Sequence, residues 1–264
     1  MHFSALANRV KAGSPSRAGL GYTAEVITLA IDTSERRGSV AVRKEGRCAA
    51  VRRHESNEDY SSWLLPAVES CLGEVGVRME GVDLLAACTG PGSFTGVRVG
   101  LTTVKAWAEV YGTKVVGVSR LEAMAQCAEA GAPFVAACYD AQRGQMFAAL
   151  YRRRDGGLER IEEEMAVEAG NFLKMATEKA GRQRIAWVSL DPELITGTAG
   201  WEGRAGIGDS MHRLEGDLAD KIGEIGEERA RKQQFTDALE LDANYVRRSD
   251  AEIFWKGPAA GHGR

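Results

Sequence analysis

The sequence contains no apolar run approaching the ~20 residues that a membrane-spanning helix requires. It also lacks an excess of positive charge, because 37 aspartates and glutamates outnumber its 34 lysines and arginines, for a net charge of −3. This balance argues against a nucleic-acid-binding surface spread over the whole protein, although it leaves room for a local basic patch. We therefore expect a cytoplasmic protein that does not bind RNA by itself.

Cysteine and histidine are sparse and scattered, which bears on disulfide and metal sites. None of the five cysteines forms a CxxC pair, and Cys88 and Cys138 lie inside apolar, strand-like runs. This pattern is typical of buried free thiols in a reducing compartment. No two of the four histidines are close enough in sequence to suggest a local metal motif.

Residues 1–24 differ in composition from the rest of the chain. They mix Gly, Ser, Arg and Ala and contain no continuous apolar segment like that of a secretory signal. We expect either a disordered extension or residues that precede the true start codon, and the fold prediction begins after them.

The hydrophobic pattern from Val26 onward predicts strands and helices in alternation. Three short strands joined by tight turns come first and predict an antiparallel meander. A helix, a strand, a second helix and a further strand follow, which together predict a mixed sheet flanked by helices. The predicted strands are 26–31, 39–43, 48–52, 84–89 and 115–118, and the predicted helices are 57–75 and 97–110.

The first predicted helix has a broad apolar stripe. Asn57 suits its N-cap, and Pro66 predicts a kink or a break near Leu65. Because Trp63 and Leu64 both belong to the stripe, it is wider than one buried seam needs. One side of this helix is expected to pack on its own sheet and another on a partner.

A weaker copy of the opening pattern occurs in the second half of the sequence. An apolar strand at 134–139 is followed by a turn that begins at Asp140 and by a returning strand at 145–152. Two copies of one unit predict an internally duplicated fold. Helices are predicted at 121–130, 168–180 and 217–233, whereas 185–203 fits no single element.

A glycine-rich segment links the fourth strand to the second helix. Glycines in this position allow backbone N–H groups to approach an anion at the helix N-terminus. The alternative is a tight turn in which Gly96 and Gly100 let another helix approach closely. The spacing matches neither a dinucleotide-binding fingerprint nor a P-loop. The segment comprises Gly90, Pro91, Gly92, Ser93, Phe94, Thr95, Gly96 and, one turn into the helix, Gly100.

Several stretches of the sequence resemble those of one known family. The most specific is the glycine segment with Arg98 two residues after it; the others are 26–33, 38–41, Leu64-Leu65-Pro66, 105–108, 139–147 and Asn244-Tyr245-Val246-Arg247-Arg248. On these residues the sequence resembles the TsaB family of bacterial tRNA threonylcarbamoyladenosine biosynthesis proteins. The resemblance is strongest between Val26 and about Leu150.

The resemblance implies two actin-like (RNase H-like) lobes, at 25–118 and 119–264, with a C-terminal helix that can pack back on the first lobe. It implies a noncatalytic scaffold that pairs with a TsaD-type catalytic paralogue and, through that complex, with a TsaE-type ATPase. Contact with tRNA is then only indirect and no cofactor is required. When the partner is missing, a homodimer and a monomer both stay open.

The segment at 120–124 bears on catalysis. The family's catalytic paralogue has a metal-binding His-x-x-x-His pair where this sequence has Arg120 and Met124. A guanidinium cannot ligate a metal, and a lone thioether is a poor ligand for a hard or borderline one. Asp32 either helps to hold a metal–phosphate unit, as in actin-fold ATPases, or caps its own turn. The same two interpretations apply to Asp140.

The partner surface is predicted from the apolar residues of the two helices. The predicted contact residues are Trp63, Leu64, Val68, Leu72, Val97, Leu101 and Val104, together with Arg98. Arg98 would either be solvated, anchor the glycine segment or meet a carboxylate across the interface. An intramolecular core explains several of the apolar residues equally well. The rival functions are a metal-dependent peptidase or carbamoyltransferase, and a stand-alone actin-fold kinase or ATPase.

Overall fold

The structure, a computed structural model, describes residues 26–55, 58–155 and 157–246. The predicted extension at 1–24, the predicted cap Asn57 and the last two residues of the C-terminal motif, Arg247 and Arg248, lie outside the described residues. Within the ranges that are described, no helix is both long and apolar enough to cross a membrane.

The first lobe is a five-stranded mixed sheet in the order β3-β2-β1-β4-β5. Strands β1, β2 and β3 form the predicted antiparallel meander, and β4 and β5 extend it in parallel with β1. The strands are β1 (Ile27–Asp32), β2 (Ser39–Lys44), β3 (Arg47–Arg53), β4 (Leu84–Cys88) and β5 (Lys114–Val118), and the helices are α1 (Tyr60–Val75) and α2 (Phe94–Tyr111), with a short 3-10 turn at Met79–Gly81.

The second lobe repeats this arrangement. Its sheet has the order β8-β7-β6-β10-β11, with β9 also paired to β7. The strands are β6 (Phe134–Gln142), β7 (Gln145–Arg154), β8 (Gly157–Arg160), β9 (Met165–Val167), β10 (Ile185–Ser189) and β11 (Ser210–Arg213). The remaining helices are α3 (Arg120–Ala125), α4 (Ala169–Ala180), α5 (Glu193–Thr196), α6 (Trp201–Ile207) and α7 (Ala219–Arg231).

The two sheets have the same strand order and the same strand directions. In each sheet, three strands form an antiparallel meander, and the first of them in sequence is the central strand of the sheet. This central strand pairs in parallel with a fourth strand, and the fourth pairs in parallel with a fifth. This repeat confirms the predicted fold class, a duplicated RNase H-like unit of the actin-like type.

Helices α3 and α7 lie between the two sheets, and α1 and α2 cover the outer face of the first. Alternate residues of β1 point to opposite sides: Leu29 and Ile31 join the core under α1 and α2, whereas Ala30 joins the central core. Helix α7 packs on the first sheet and α3 on the second. Small residues allow α7 to approach the first sheet closely, because Gly226 of α7 lies against Ala86 of β4.

The structure corrects the predicted bounds of two helices and assigns a region that the sequence leaves open. Helix α1 begins at Tyr60 rather than at 57, and it runs without a break through Pro66 because Leu64, Ala67 and Val68 are buried on either side of the proline. Helix α3 ends at Ala125 instead of 130. The region 185–203, which the sequence leaves unassigned, contains the buried strand β10, the short helix α5 and the start of α6.

All five cysteines are free thiols. Cys71, Cys88 and Cys138 are buried, as expected, and burial raises the pKa of Cys71 to about 11 and that of Cys138 to about 12. Cys48 differs because it is exposed on β3.

Candidate functional site

The glycine segment joins the end of β4 to the N-terminus of α2. The Gly90–Pro91 peptide is cis, and Gly90 has a φ of 93°, a value in the left-handed region that favours glycine. Ser93 is the N-cap of α2, and its Oγ accepts a hydrogen bond from the Gly96 N–H at 3.3 Å. This segment therefore begins the helix as the sequence predicts.

The turn after β1 packs directly on the glycine segment. A Cβ added to Gly92 would overlap the carbonyl oxygen of Ser34, and a Cβ added to Gly96 would overlap that of Thr33. The Ser93 N–H donates to the Ser34 carbonyl at 2.7 Å, and the Thr33 hydroxyl donates to the Gly96 carbonyl at 2.7 Å.

Gly100 is used in the same way, because a Cβ there would overlap the Thr33 hydroxyl oxygen. Close packing rather than anion binding therefore explains these glycines. The element that approaches them is the turn after β1, not a second helix.

Asp32 ends β1 and is completely buried. Its Oδ1 accepts hydrogen bonds from the Ser34 N–H at 3.0 Å and the Ser34 hydroxyl at 2.6 Å, which confirms the turn-capping interpretation. Its Oδ2 pairs with Nη1 of Arg120, whose side chain is also completely buried. The position at which an actin-fold ATPase would hold a metal–phosphate unit thus contains an arginine of the protein itself.

Arg120 makes further contacts with both lobes. Nη1 also donates to the Ser34 hydroxyl at 3.2 Å, Nη2 donates to the Gly216 carbonyl at 3.3 Å, and the guanidinium carbon lies 5.4 Å from the centre of the Tyr139 ring. Nε is buried without a hydrogen-bond partner among the described residues. Burial lowers the pKa of Arg120, but the Asp32 carboxylate raises it, and the net pKa lies above its usual value.

The surroundings of this pair do not fit a metal. Met124 is completely buried in the central core, and Arg120 is committed to Asp32. Within the described residues, no group of three or more His, Cys, Asp or Glu side chains is placed to hold a metal ion. The Tyr139 hydroxyl donates to the Pro91 carbonyl at 2.5 Å, so the second lobe closes directly on the glycine segment.

Asp140 occupies the equivalent position in the second lobe. Its Oδ1 accepts from the Gln142 N–H and its Oδ2 from the Gln142 side-chain amide, both at 2.7 Å. Its own N–H donates to Asp191 at 3.1 Å. Asp140 therefore caps the turn between β6 and β7.

Most of the predicted partner residues belong to the core of this chain. Six of them are buried together between the first sheet and helices α1 and α2: Leu64, Val68, Leu72, Val97, Leu101 and Val104. Each of the six points into the chain's own core, so the alternative of an intramolecular core accounts for them. Trp63 is half-buried and Arg98 is exposed.

A different set of apolar side chains is exposed on the same two helices and on the chain that follows α7. Leu65 on α1 is 51% exposed, and Leu239, in the C-terminal segment (residues 232–246), is 83% exposed. Phe94, Val110 and Tyr111 of α2 and Tyr245 of the C-terminal segment complete this set, which we call the outer helix face. Of the other large apolar side chains in the described ranges, just Ile207 of α6 is comparably exposed.

The C-terminal segment runs beside α2. Thr236 forms a β-bridge with Val115 of the edge strand β5, and Leu241 is buried in the core under α2. The Asn244 N–H donates to the Thr89 carbonyl at 2.8 Å, and its side-chain amide bonds to Glu164 of the second lobe. The segment therefore reaches the N-terminal end of α2 while it is tied to both lobes.

Arg98 lies in an aromatic frame at that end of α2. Its guanidinium carbon is 3.7 Å from the centre of the Phe94 ring, and its Nε donates to the Tyr245 hydroxyl at 2.7 Å. The two rings are 5.3 Å apart. Sequence reasoning singled out Arg98 but missed this frame, because Tyr245 is 147 residues away along the chain.

Comparisons with known proteins reveal consistent similarities. The family model of TsaD, tRNA N6-adenosine threonylcarbamoyltransferase, matches residues 52–191. Over 229 residues the chain is 28% identical to the tRNA threonylcarbamoyladenosine biosynthesis protein TsaB of Bacillus subtilis, covering 86% of this chain and 96% of the relative. Over 184 residues it is 33% identical to the protein of the same name from Escherichia coli, covering 68% of this chain and 74% of the relative.

A solved structure supports the same grouping. YeaZ from Pseudomonas aeruginosa superposes on this chain with a TM-score of 0.67 and 25% sequence identity, covering 83% of this chain and 99% of YeaZ. Both this match and the Bacillus subtilis alignment cover more than four fifths of the chain, so the similarity is not confined to the first lobe.

Proposed function

Because the chain belongs to the TsaB family of tRNA threonylcarbamoyladenosine biosynthesis proteins, we propose that it is a noncatalytic subunit that binds a TsaD-type catalytic paralogue. In this role it supports threonylcarbamoylation of the adenosine next to the tRNA anticodon. A TsaE-type ATPase and the tRNA are reached through the complex, in the cytoplasm.

The outer helix face is the observation that carries this proposal. Its side chains lie on α1, on α2 and on the C-terminal segment, and these elements contact one another. Exposed apolar side chains on adjoining elements mark an interaction surface, whereas single exposed ones do not. Leu65, Phe94, Leu239 and Tyr245 are large, and two of them are aromatic, a class that is enriched at protein interfaces. A specific complex buries about 800 Å² on each partner.

The buried Asp32–Arg120 pair supports the noncatalytic part of the proposal. The metal-ligand positions of the catalytic paralogue are taken by Arg120 and Met124, and both are completely buried. Asp32 is neutralised by Arg120, so its carboxylate does not face an open cleft. The isolated protein is therefore expected to turn over no ATP, even when it is supplied with divalent metal ions.

The mass of the protein in solution tests the proposal. Size exclusion with light scattering is carried out on the chain alone and on its mixture with the TsaD-type protein of the same organism, with ATP and magnesium. A one-to-one complex is expected. It should weaken for Leu65→Asp, which alters the outer helix face, and stay intact for Ile207→Asp, a matched control on the exposed side of α6.

Leu64→Asp would not report on the contact, because Leu64 is buried in the core and a charge there destabilises the fold itself. If the chain alone forms a homodimer through the outer helix face, the contact is isologous and competes with the heterodimer. Leu65→Asp should then weaken both assemblies. The absence of any complex at micromolar concentrations, or ATP turnover by the chain alone, would contradict the proposal.

A further inference from the structure

Several exposed arginines of the structure pair with a carboxylate, whereas Arg98 has no carboxylate partner among the described residues. Arg52 pairs with Glu74, Arg154 with Glu159 and Arg213 with Glu193, each across the surface of this chain. Within the described residues, Arg98 instead has a hydrogen bond to a neutral hydroxyl and contacts with two aromatic rings. Among those residues, no carboxylate compensates its positive charge.

The aromatic frame fixes the position of this charge. Stacking on Phe94 at 3.7 Å and the bond from Nε to Tyr245 restrict the long side chain, which would otherwise lose rotamer entropy on binding. Nη1 and Nη2 make no hydrogen bond within the described part of the chain. An arginine held by its Nε presents two parallel donors, the geometry that matches both oxygens of a carboxylate.

The backbone that leads to Tyr245 is tied to both lobes. The preceding residue, Asn244, is bonded through its N–H to Thr89 of the first lobe and through its side chain to Glu164 of the second. Leu241, a few residues earlier, is buried. The frame is therefore part of the folded structure and is ready before any partner arrives, which reduces the entropic cost of binding.

From these contacts we infer that Arg98 is a receptor for a carboxylate of the partner protein, framed by Phe94 and Tyr245. The inference rests on the proposed function, because it names a contact within the outer helix face. A protein carboxylate fits better than an RNA phosphate for two reasons. The exposed rings of Phe94 and Tyr245 frame the receptor, as is typical of a protein interface, and a net charge of −3 does not favour an extended contact with a nucleic-acid backbone.

Calorimetric titration of the TsaD-type protein into wild type and variants tests this inference. Arg98→Gln removes the charge and should raise the Kd at least tenfold, since a charge-assisted bidentate contact at an interface is lost. Arg98→Lys keeps the charge but not the paired donors or the flat stacking surface, and it should recover only a minor part of the affinity. Tyr245→Phe removes the hydroxyl that holds Nε and should raise the Kd severalfold.

Arg182→Gln is the matched control. Arg182 is exposed after α4 in the second lobe, and its replacement should leave the Kd unchanged. Thermal unfolding of every variant checks that none of the effects comes from loss of the fold, because Arg98 and Arg182 are both exposed.

The outcomes separate the receptor from the function on which it rests. If wild type forms no complex, the proposed function fails. If wild type binds and Arg98→Gln or Arg98→Lys binds equally well, the receptor alone is wrong. A filter-binding assay with tRNA and the isolated chain covers the remaining source of an anion: if Arg98→Gln weakens tRNA binding and leaves the Kd for the protein unchanged, the ligand is a phosphate and the inference is overturned.

Discussion

The buried pair of Asp32 and Arg120 predicts a stability effect that a surface ion pair would not produce. Both side chains are completely excluded from solvent, and they connect the end of β1 to the start of α3. Arg120→Met removes the cation while keeping most of the side-chain volume. The Asp32 carboxylate then remains buried with only the Ser34 N–H and hydroxyl as hydrogen-bond donors.

The expected cost follows from the groups that are left without partners. Removing one member of a buried pair typically costs 3–5 kcal/mol, because an uncompensated charge stays buried. The Gly216 carbonyl also loses its bond to Arg120. We therefore expect Arg120→Met to lower the free energy of unfolding by about 3–5 kcal/mol, and Asp32→Asn to lower it by a similar amount because the guanidinium then lacks its counter-charge.

The double variant is the sharper test. Asp32→Asn combined with Arg120→Met leaves no buried charge, so its cost should be smaller than the sum of the two single costs by about 2–3 kcal/mol. Urea unfolding followed by circular dichroism measures all four proteins of this cycle. Arg154→Met is the control, because the Arg154–Glu159 pair is exposed and should contribute less than about 1 kcal/mol.

Two results would refute the reasoning. A cost of less than about 1 kcal/mol for Arg120→Met would mean that the pair is not desolvated as the structure describes. Single costs that add within about 0.5 kcal/mol in the double variant would mean that the two side chains do not interact.

Three further predictions concern packing, thiol reactivity and pH. Gly96→Ala should lower the free energy of unfolding by about 1–3 kcal/mol because its Cβ would overlap the Thr33 carbonyl, whereas Gly73→Ala, a matched control in open space on α1, should be neutral or slightly stabilising in the same urea titration. Iodoacetamide labelling of the native protein, read by mass spectrometry of peptides, should modify the exposed Cys48 first and leave the buried thiols unmodified; equal labelling would contradict their burial. Burial raises the pKa of the Glu164 carboxyl group above its value in the unfolded chain, so the folded state binds the carboxyl proton more tightly. The resulting stabilisation is present below the unfolded pKa and is lost as the pH rises through the folded pKa. The free energy of unfolding of wild type, relative to Glu164→Gln, should therefore fall from about pH 4.3 towards neutral pH, and a flat or rising difference would show that hydrogen bonds outweigh desolvation.

Helices α1 and α2 show how much of the structure hydrophobic periodicity predicts. The pattern places α1 and α2 correctly, since their apolar residues recur every three or four positions. It does not separate Leu64, which is 1% exposed, from Leu65, which is 51% exposed. Adjacent residues on a helix point about 100° apart, so which of two neighbouring leucines is buried depends on how the helix is rotated against the sheet.

The turn capped by Asp32 shows a second limit. The sequence indicates that Arg120 cannot bind a metal and that Asp32 can cap its own turn. It does not indicate that these two residues pair, because they are 88 positions apart and belong to different elements. The Arg98 frame has the same character, since its ring partner Tyr245 comes from the end of the described chain.

The sequence by itself determined the local order of strands and helices, their duplication, and the glycine segment that starts α2, because periodicity, caps and turn residues act over short distances along the chain. Only the tertiary structure decided what fills the position of Asp32, which side chains form the outer helix face, and why the glycines are needed. These depend on contacts between residues far apart in sequence, and such contacts exist only after the two sheets have closed on α3 and α7 and the C-terminal segment has packed beside α2.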